Sequence, residues 1–480
     1  MLLNNNSVTP GTQPEGFRQL LLDAVSRHNI LPLTSSCNLG CLFCSNRHMP
    51  PELDVYTFPP LPETELQELI PYLDGQAKII IGESSTRLCE GEPFTHPSIL
   101  PLLSSLRERF PQAPLQITTN GTLLTHEKVV ALHKLGGSTP KGDSLLELII
   151  SFNCSGPAVR RKVLGDGEPQ RVIDTLKYCR DYHIPFHGSV VAVPHLSGWD
   201  DLESTLGLLD AKGARTIRIF LPGTTRFTPA GLLGGESIWE EIAAFLQKVK
   251  GKLRCPLLLE PPLKQDLVAR VEGVIWGTGA EQAGLQVGDI ITAIDGERVC
   301  SGVMAFGRIK KAATPLLTVE REAHNTDNLL LTPSMTELNL RLQKPKGASS
   351  GIVMAYDLAE EMMAAVTAEI IRDQASRPLL LTSSIAAPLW RGARLSGLIP
   401  PQTRISIVNN HFFGGTICCA GLLTVFDLRK HLKSFSAQDG ADLYLIPSAP
   451  FDKGGRDLRR ESYRELLHEF PKMSLAFLLS

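Results

Sequence analysis

The sequence predicts an α/β protein. A partial (β/α)6 barrel spans residues 28–255, a small β-rich module spans 263–325 and a second α/β domain spans 326–480, with 1–27 as an N-terminal extension. Three observations predict this. Six short apolar segments alternate with helical patterns before residue 250. A glycine-rich stretch over 268–299 then reads as short strands with no long helix. From 351 onward helix and strand alternate again. Strands that alternate with helices pair in parallel through right-handed crossovers.

The first six strands are expected at 30–33, 78–81, 115–119, 145–152, 186–193 and 216–221, each apolar and bounded by Gly, Pro or polar residues. Between them, Leu66, Leu69 and Leu73 mark one helix face, and Val172, Leu176 and Cys179 another. A helix over 237–249 ends this region, and 256–262, flanked by prolines, reads as a linker. In the middle module, Asp295-Gly296 fits a hairpin turn, and 329–350 is read as a segment that closes the module. The C-terminal domain is expected to hold helices at 354–374, 422–435 and 458–470 and strands at 378–382, 404–408 and 443–446.

Lys+Arg is 48 and Asp+Glu is 50, a net charge of −2. That balance predicts no broad attraction to nucleic acid or to an anionic membrane. The first residues lack a basic stretch followed by an apolar one, so no signal peptide is expected. No apolar run has the length of a membrane span. A cytoplasmic location is the expectation. The 10 cysteines are no disulfide framework, which belongs to short secreted chains.

Three cysteines form a C-x3-C-x2-C run, Cys37-Asn38-Leu39-Gly40-Cys41-Leu42-Phe43-Cys44, just after the first strand. Thiolates are the usual ligands of iron–sulfur clusters. Three of them hold three corners of a cubane and leave one iron open. Gly40 gives the tight loop its freedom, and Phe43 is placed to shield a cluster from water. A zinc site is the bland alternative, with His48 as a fourth ligand. No second C-x2-C pair follows, and the next cysteine is Cys89.

The spacing, the filling and the aromatic residue before the last cysteine resemble the signature of the radical S-adenosylmethionine (SAM) superfamily. The resemblance runs from 28 to about 225. Cys89-Glu90-Gly91-Glu92-Pro93 resembles the family's Gly-Gly-Glu-Pro segment beside the SAM methionine, with Glu90 in place of the first glycine. Thr118-Thr119-Asn120-Gly121-Thr122 resembles the end of its third strand. Ser151 lies where the family contacts the SAM ribose or carboxylate, and Arg160 and Arg161 where that carboxylate is neutralised. The resemblance therefore implies a 4Fe-4S cluster on Cys37, Cys41 and Cys44. It implies SAM against Phe43, Gly91, Glu92, Pro93, Asn120, Ser151 and Arg160. It also implies an electron donor such as ferredoxin or flavodoxin. The chemistry implied is reductive cleavage of SAM to a 5′-deoxyadenosyl radical that abstracts hydrogen from a substrate, carried by the cofactors while the protein orients and shields them.

Other residues have plainer readings. Cys89 and Cys154 follow the second and fourth strands and can reach an active site, yet each reads first as a small buried hydrophobe. Cys179 is core. Cys418-Cys419 alternate faces on a strand and make a poor second cluster. His187 and His195 bracket the fifth strand, where packing is the default.

Residues 268–274 and 279–296, with Ala283-Gly284-Leu285 and Gly288-Asp289-Ile290, resemble part of a PDZ domain. Such domains capture peptides by strand addition; a structural packing role is the alternative. The run from Val408 to Thr424, with Phe412, Phe413, Gly414 and Gly415, resembles a domain of unknown function that accompanies radical SAM proteins bearing PDZ-like modules. Here the PDZ-like module sits between the other two domains, and an acidic family segment reads Phe451-Asp452-Lys453-Gly454. Asn409, Asn410, Gly414 and Gly415 lie between a strand and a helix, where backbone N–H groups can meet an anion or glycine simply shapes the loop. The leading expectation is a radical SAM oxidoreductase-like enzyme whose substrate is a peptide or protein rather than a metabolite. The alternative is a non-catalytic iron–sulfur protein that carries electrons or binds a partner.

Overall fold

The computed structural model describes residues 8, 14, 16–85, 87–137, 144–322, 335–344, 349–434, 440–471 and 473–478. The chain divides into two compact units, 1–260 and 261–480.

The first unit opens with α1 (Phe17–His28), then alternates: β1 (Ile30–Leu31), α2 (Glu63–Leu69), β2 (Ile79–Ile81), α3 (Ile99–Arg109), β3 (Leu115–Thr119), α4 (His126–Gly136) and β4 (Leu146–Ser151). It continues with α5 (Pro157–Leu164), α6 (Gln170–Asp181), β5 (Phe186–Val191), α7 (Pro194–Ser197), α8 (Trp199–Ala211), β6 (Ile217–Phe220), α9 (Ile238–Val249) and β7 (Leu257–Glu260). The sheet runs β1 to β7 in chain order, every neighbouring pair parallel. This is the expected partial barrel with one more strand. Residues 256–262 are not all linker, because Leu257–Glu260 pairs with β6. An edge strand tolerates the prolines that flank it.

Alternation within the strands divides the sheet's two faces. In β4, Leu146, Leu148 and Ile150 are buried under the helices, while Glu147 and Ser151 share the opposite face. Leu102, Leu103 and Leu106 of α3 and Val172, Leu176 and Cys179 of α6 pack into the same core. Each fully buried Leu or Val contributes roughly 1.5–3 kcal/mol. The N-terminal segment is more than an extension: Phe17, Leu20, Leu21, Ala24 and Val25 of α1 are buried in that core.

The second unit holds β8 (Gly273–Val274), α10 (Gly279–Gln282), β9 (Ile290–Ile294), β10 (Glu297–Arg298), α11 (Gly302–Lys311), β11 (Leu316–Glu322), β12 (Met335–Arg341) and β13 (Ile352–Val353). An antiparallel sheet runs β10-β9-β11-β12, and β13 pairs with β8. The small module's pairing thus draws on residues beyond 325. Next come α12 (Glu360–Arg372), β14 (Pro378–Thr382), α13 (Ala387–Leu395), β15 (Arg404–Ile407), α14 (Val425–Ser434), β16 (Leu443–Pro447), α15 (Arg464–Glu469) and β17 (Leu475–Leu478). Their strands form a parallel sheet, β15-β14-β16-β17. Residues 329–334, 345–348 and Phe435, included in the expected segments, lie outside the described residues. Among the described residues no helix is long and apolar enough to cross a membrane.

Candidate functional site

Four loops meet at the carboxyl ends of β1 to β4, the end of a β/α barrel where reactive groups gather. The cysteine loop is tied down by backbone bonds. Gly40 N–H donates to the Leu164 carbonyl at 2.8 Å and Leu42 N–H to that of Val163 at 2.9 Å. The left-handed backbone that permits this belongs to Gly165, at φ 64°, and not to Gly40. A Cβ on Gly165 would lie 3.4 Å from Gly40 N, so the end of α5 and the loop approach as two bare backbones.

The segment before Cys37 is paired with the segment 91–92. Gly91 N–H donates to the Thr34 carbonyl and Glu92 N–H to the Ser36 carbonyl, both at 2.8 Å. A Cβ on Gly91 would sit 2.1 Å from the Ser36 oxygen. The Glu92 carboxylate is 2 % exposed. It accepts from Thr119 Oγ1 and Asn120 N–H, each at 2.7 Å, and from Phe94 N–H at 3.1 Å. Burial nevertheless holds its pKa above the usual carboxylate value. Pro93 opens a buried turn beside Gly82. Glu92 thus ties the end of β3 to the cysteine loop's neighbour rather than pointing a free charge outward.

Asn120 is the junction. Its Nδ2 donates to Asn38 Oδ1 at 3.0 Å and lies 3.8 Å from the Cys37 sulfur, and its Oδ1 accepts from Thr122 N–H at 2.9 Å. Asn38 Nδ2 donates in turn to Thr122 Oγ1 at 2.8 Å. Sequence reasoning passed over Asn38 and Thr122, although Asn38 stands directly after the first cysteine. Ser151 ends β4 on the face away from the helices, and its hydroxyl has no partner among the described residues.

Arg160 lies on α5, after β4. Its side chain is fully buried and paired with Asp166 at 2.7 Å, and its Nη1 donates to the carbonyls of Phe152 and Cys154. Its charge is already matched within the protein by Asp166. Nη2 alone has no partner. The guanidinium still lowers the cost of negative charge on Cys41. Phe43 and Cys41 pack against Cys154, Val163, Leu164 and Val193.

Burial raises the Cys37 thiol pKa and pushes Cys41 up to about 12, with the neighbouring cysteines raising both further. Cys89 is pushed up to about 11, by burial first and then by nearby Cys44. Cys154 rises to about 12, by burial and then Asp201. Both are buried thiols beside the loop, as their plainer reading had it. The three loop thiols lie within electrostatic reach of one another. Among the described residues, though, no three His, Cys, Asp or Glu groups form a ligand set for one metal ion. A cubane does not need them to: each thiolate takes a different iron, so they must border a common volume rather than meet at a point. His187 and His195 have local partners, Thr216 Oγ1 and the Leu232 carbonyl.

The sequence profile of the Radical SAM superfamily matches residues 31–209. Residues 31–209 are a radical SAM domain. The same comparison finds a PDZ domain at 270–313. Membership of the radical SAM family implies a 4Fe-4S cluster and SAM. The GTP 3′,8-cyclase of Synechococcus sp. (strain WH7803) is 34 % identical over 119 residues, which cover 22 % of this chain and 30 % of that protein. The chain therefore spans less than a third of the curated relative it matches. Among solved structures, Streptococcus suis SuiB bound to precursor peptide SuiA matches with a TM-score of 0.36 and 15 % identity, over 48 % of each chain. Methylornithine synthase matches with a TM-score of 0.33 and 12 % identity, over 49 % of this chain and 69 % of that one.

Proposed function

We propose that the radical SAM domain is catalytic, with Cys37, Cys41 and Cys44 as ligands of the 4Fe-4S cluster. The observation that carries this is the cysteine loop itself, pinned at Gly40 and Leu42 to α5 and at Cys37 to Asn120. The residues fit the group. Three thiols suit iron, and the loop's apolar side, through Phe43, Val163 and Leu164, keeps water away. Gly91 supplies bare backbone, and Asn120 and the unpartnered Ser151 hydroxyl supply hydrogen bonds for SAM. When bound, the cluster and SAM supply reductive cleavage of the sulfonium and a hydrogen-abstracting radical. This chain's residues position and shield that pair. Glu92 fixes the Asn120 backbone, Asn120 steadies Cys37, and Arg160 acts from below by favouring negative charge on the loop. A ferredoxin or flavodoxin is the expected reductant. The PDZ domain favours a peptide or protein substrate.

The test is anaerobic. Protein reconstituted with iron and sulfide is given reductant and SAM, and 5′-deoxyadenosine is measured beside iron content, with Cys41→Ala as control. Product from wild type alone supports the reading. A well-formed cluster that yields none with several reductants supports the electron-carrier reading instead.

A further inference from the structure

The C-terminal sheet, in the order β15-β14-β16-β17, places its first strand between its second and third. Connections leave the central strands in opposite directions. In open α/β sheets, ligands bind outside the carboxyl ends of strands at such a switch point. That point lies between β14 and β16; a cavity of about 210 Å³ opens beside it, at the same carboxyl end of the sheet, walled by the loops that follow β14 and β15.

The lining divides chemically. Ser383, Ser384 and Asn409 bring hydrogen-bonding groups, whereas Val408, Ile417 and Leu423 bring apolar surface. Among the described residues no carboxylate, ammonium, guanidinium or imidazole lines it, and the Cys418 thiol that does is pushed up to about 11 by burial, hence neutral. An ionised ligand would lose its hydration there with no counter-charge in return. A neutral ligand with a flat apolar body and a polar edge meets both walls.

One buried polar group points to such an occupant, and an exposed carboxamide stands beside it at the rim. Ser383 is 1 % exposed; its oxygen accepts from Ala386 N–H at 3.4 Å, and its proton has no acceptor among the described residues. Buried hydroxyl protons are rarely left so. The Asn409 carboxamide has no partner among the described residues, although its neighbour Asn410 is fully engaged with Phe413 N–H and the Leu422 carbonyl. The loop that presents Asn409 is built to hold its shape. Buried Asp427 accepts from His411 N–H, Phe412 N–H and Thr424, and Gly414 and Gly415 both take left-handed backbone, at φ 67° and 57°.

We propose that this cleft binds a small neutral heterocycle with a lactam or imide edge, of nucleobase size. The carboxamide of Asn409 offers a donor beside an acceptor, the pattern such an edge complements. The volume is below the roughly 300–1,000 Å³ of sites for larger ligands, which suits one ring system.

Uracil and uridine carry the same imide edge without and with a sugar and serve as probes for the full chain, read by saturation-transfer NMR and titration at neutral pH. At least one binds saturably. Imide-N-methylated uridine binds more weakly, and Asn409→Ala and Ser383→Ala each weaken the bound probe about tenfold, as for the loss of one well-placed hydrogen bond. Asn409 is exposed, so its variant keeps the fold even where Ser383→Ala does not. Cys41→Ala binds as wild type does, which separates this cleft from the radical SAM domain. The proposal is overturned if neither probe binds wild type, if Asn409→Ala binds unchanged, or if inorganic phosphate displaces the probe.

Discussion

Replacing Gly91 by alanine asks for space the backbone does not have. The new Cβ would stand 2.1 Å from the Ser36 oxygen and 2.6 Å from the Ser35 carbonyl carbon. Both obstacles are main chain, so no side-chain rotation relieves them. The segment 91–92 must move away from 34–36, and that motion breaks the bonds from Gly91 N–H to Thr34 and from Glu92 N–H to Ser36, each 2.8 Å long. A hydrogen bond lost with its buried partner left unpaired costs about 1–3 kcal/mol, so two cost about 2–6 kcal/mol before any strain is added. Ser36 immediately precedes Cys37, so the displacement also reaches the proposed cluster loop. Amide hydrogen exchange over 33–37 and 89–96, with iron and sulfide counted per chain after anaerobic reconstitution, measures both effects. Gly91→Ala should exchange at least tenfold faster there and hold less iron. Equal exchange and full iron content would refute the ladder as the support of the cysteine loop.

Glu90 is buried and pushed up to about 8. The folded state therefore keeps a proton that the unfolded chain releases from about pH 4.5 upward. Stability falls as pH rises through the window between 4.5 and 8, by up to about 5 kcal/mol, and urea midpoints of Glu90→Gln should be flatter across it and higher than wild type above pH 8. Glu147 behaves oppositely. Burial alone would raise it, yet the hydrogen bond from His187 and the charge of Lys78 together bring it down to about 2. Its contribution, of order 3 kcal/mol, is present above about pH 4.5 and is lost as pH falls toward 2; Glu147→Gln should be less stable than wild type at pH 7 and converge with it in acid. Asp427→Ala leaves the donors of His411, Phe412 and Thr424 unpaired in a buried site. It should destabilise the C-terminal domain by about 3–5 kcal/mol, read as faster exchange over 409–416 and a lower melting temperature.

What was legible in the sequence was what is local. β14 occupies the expected span, because Pro378 begins an apolar run and the polar Ser383 and Ser384 follow it. The cysteine loop was legible because its spacing is fixed within eight residues. β7 was read as linker because prolines bracket it, and only its pairing with β6 makes it a strand. α1 carried a signal that went unread: Phe17, Leu20, Leu21 and Ala24 fall at helical spacing and are all buried. The pairing of Arg160 with Asp166 was not legible, because Asp166 is reached only when Gly165 turns left-handed. No propensity marks which way an arginine on a short helix points. Asn409 and Ser383 are 26 residues apart in the chain, and the parallel pairing of β14 with β15 brings their loops to one end of the sheet.

The substitution of Glu90 for the first glycine of the resembling motif has a physical account different from its neighbour's. Just past β1 the chain leaves the sheet ladder, and the N–H groups of Leu33 and Thr34 need acceptors. Glu90 supplies them: its Oε1 accepts from Leu33 at 2.7 Å and its Oε2 from Thr34 at 3.4 Å, while its own N–H donates to Ser84 Oγ. The side chain thus does the work of further backbone pairing. The short bond falls on one oxygen and the long bond on the other, so a neutral carboxyl keeps the stronger contact with its proton on Oε2. Burial favours the neutral carboxyl and the backbone donors favour the charged one; burial outweighs them, so the carboxyl is held up to about 8. Gly91, one residue on, meets main chain wherever a Cβ would go. Adjacent positions of one motif are thus constrained by different physics, the first by which donors need an acceptor and the second by the distance between two backbones. A search that demanded glycine at both would discard a sequence that satisfies the constraint at each.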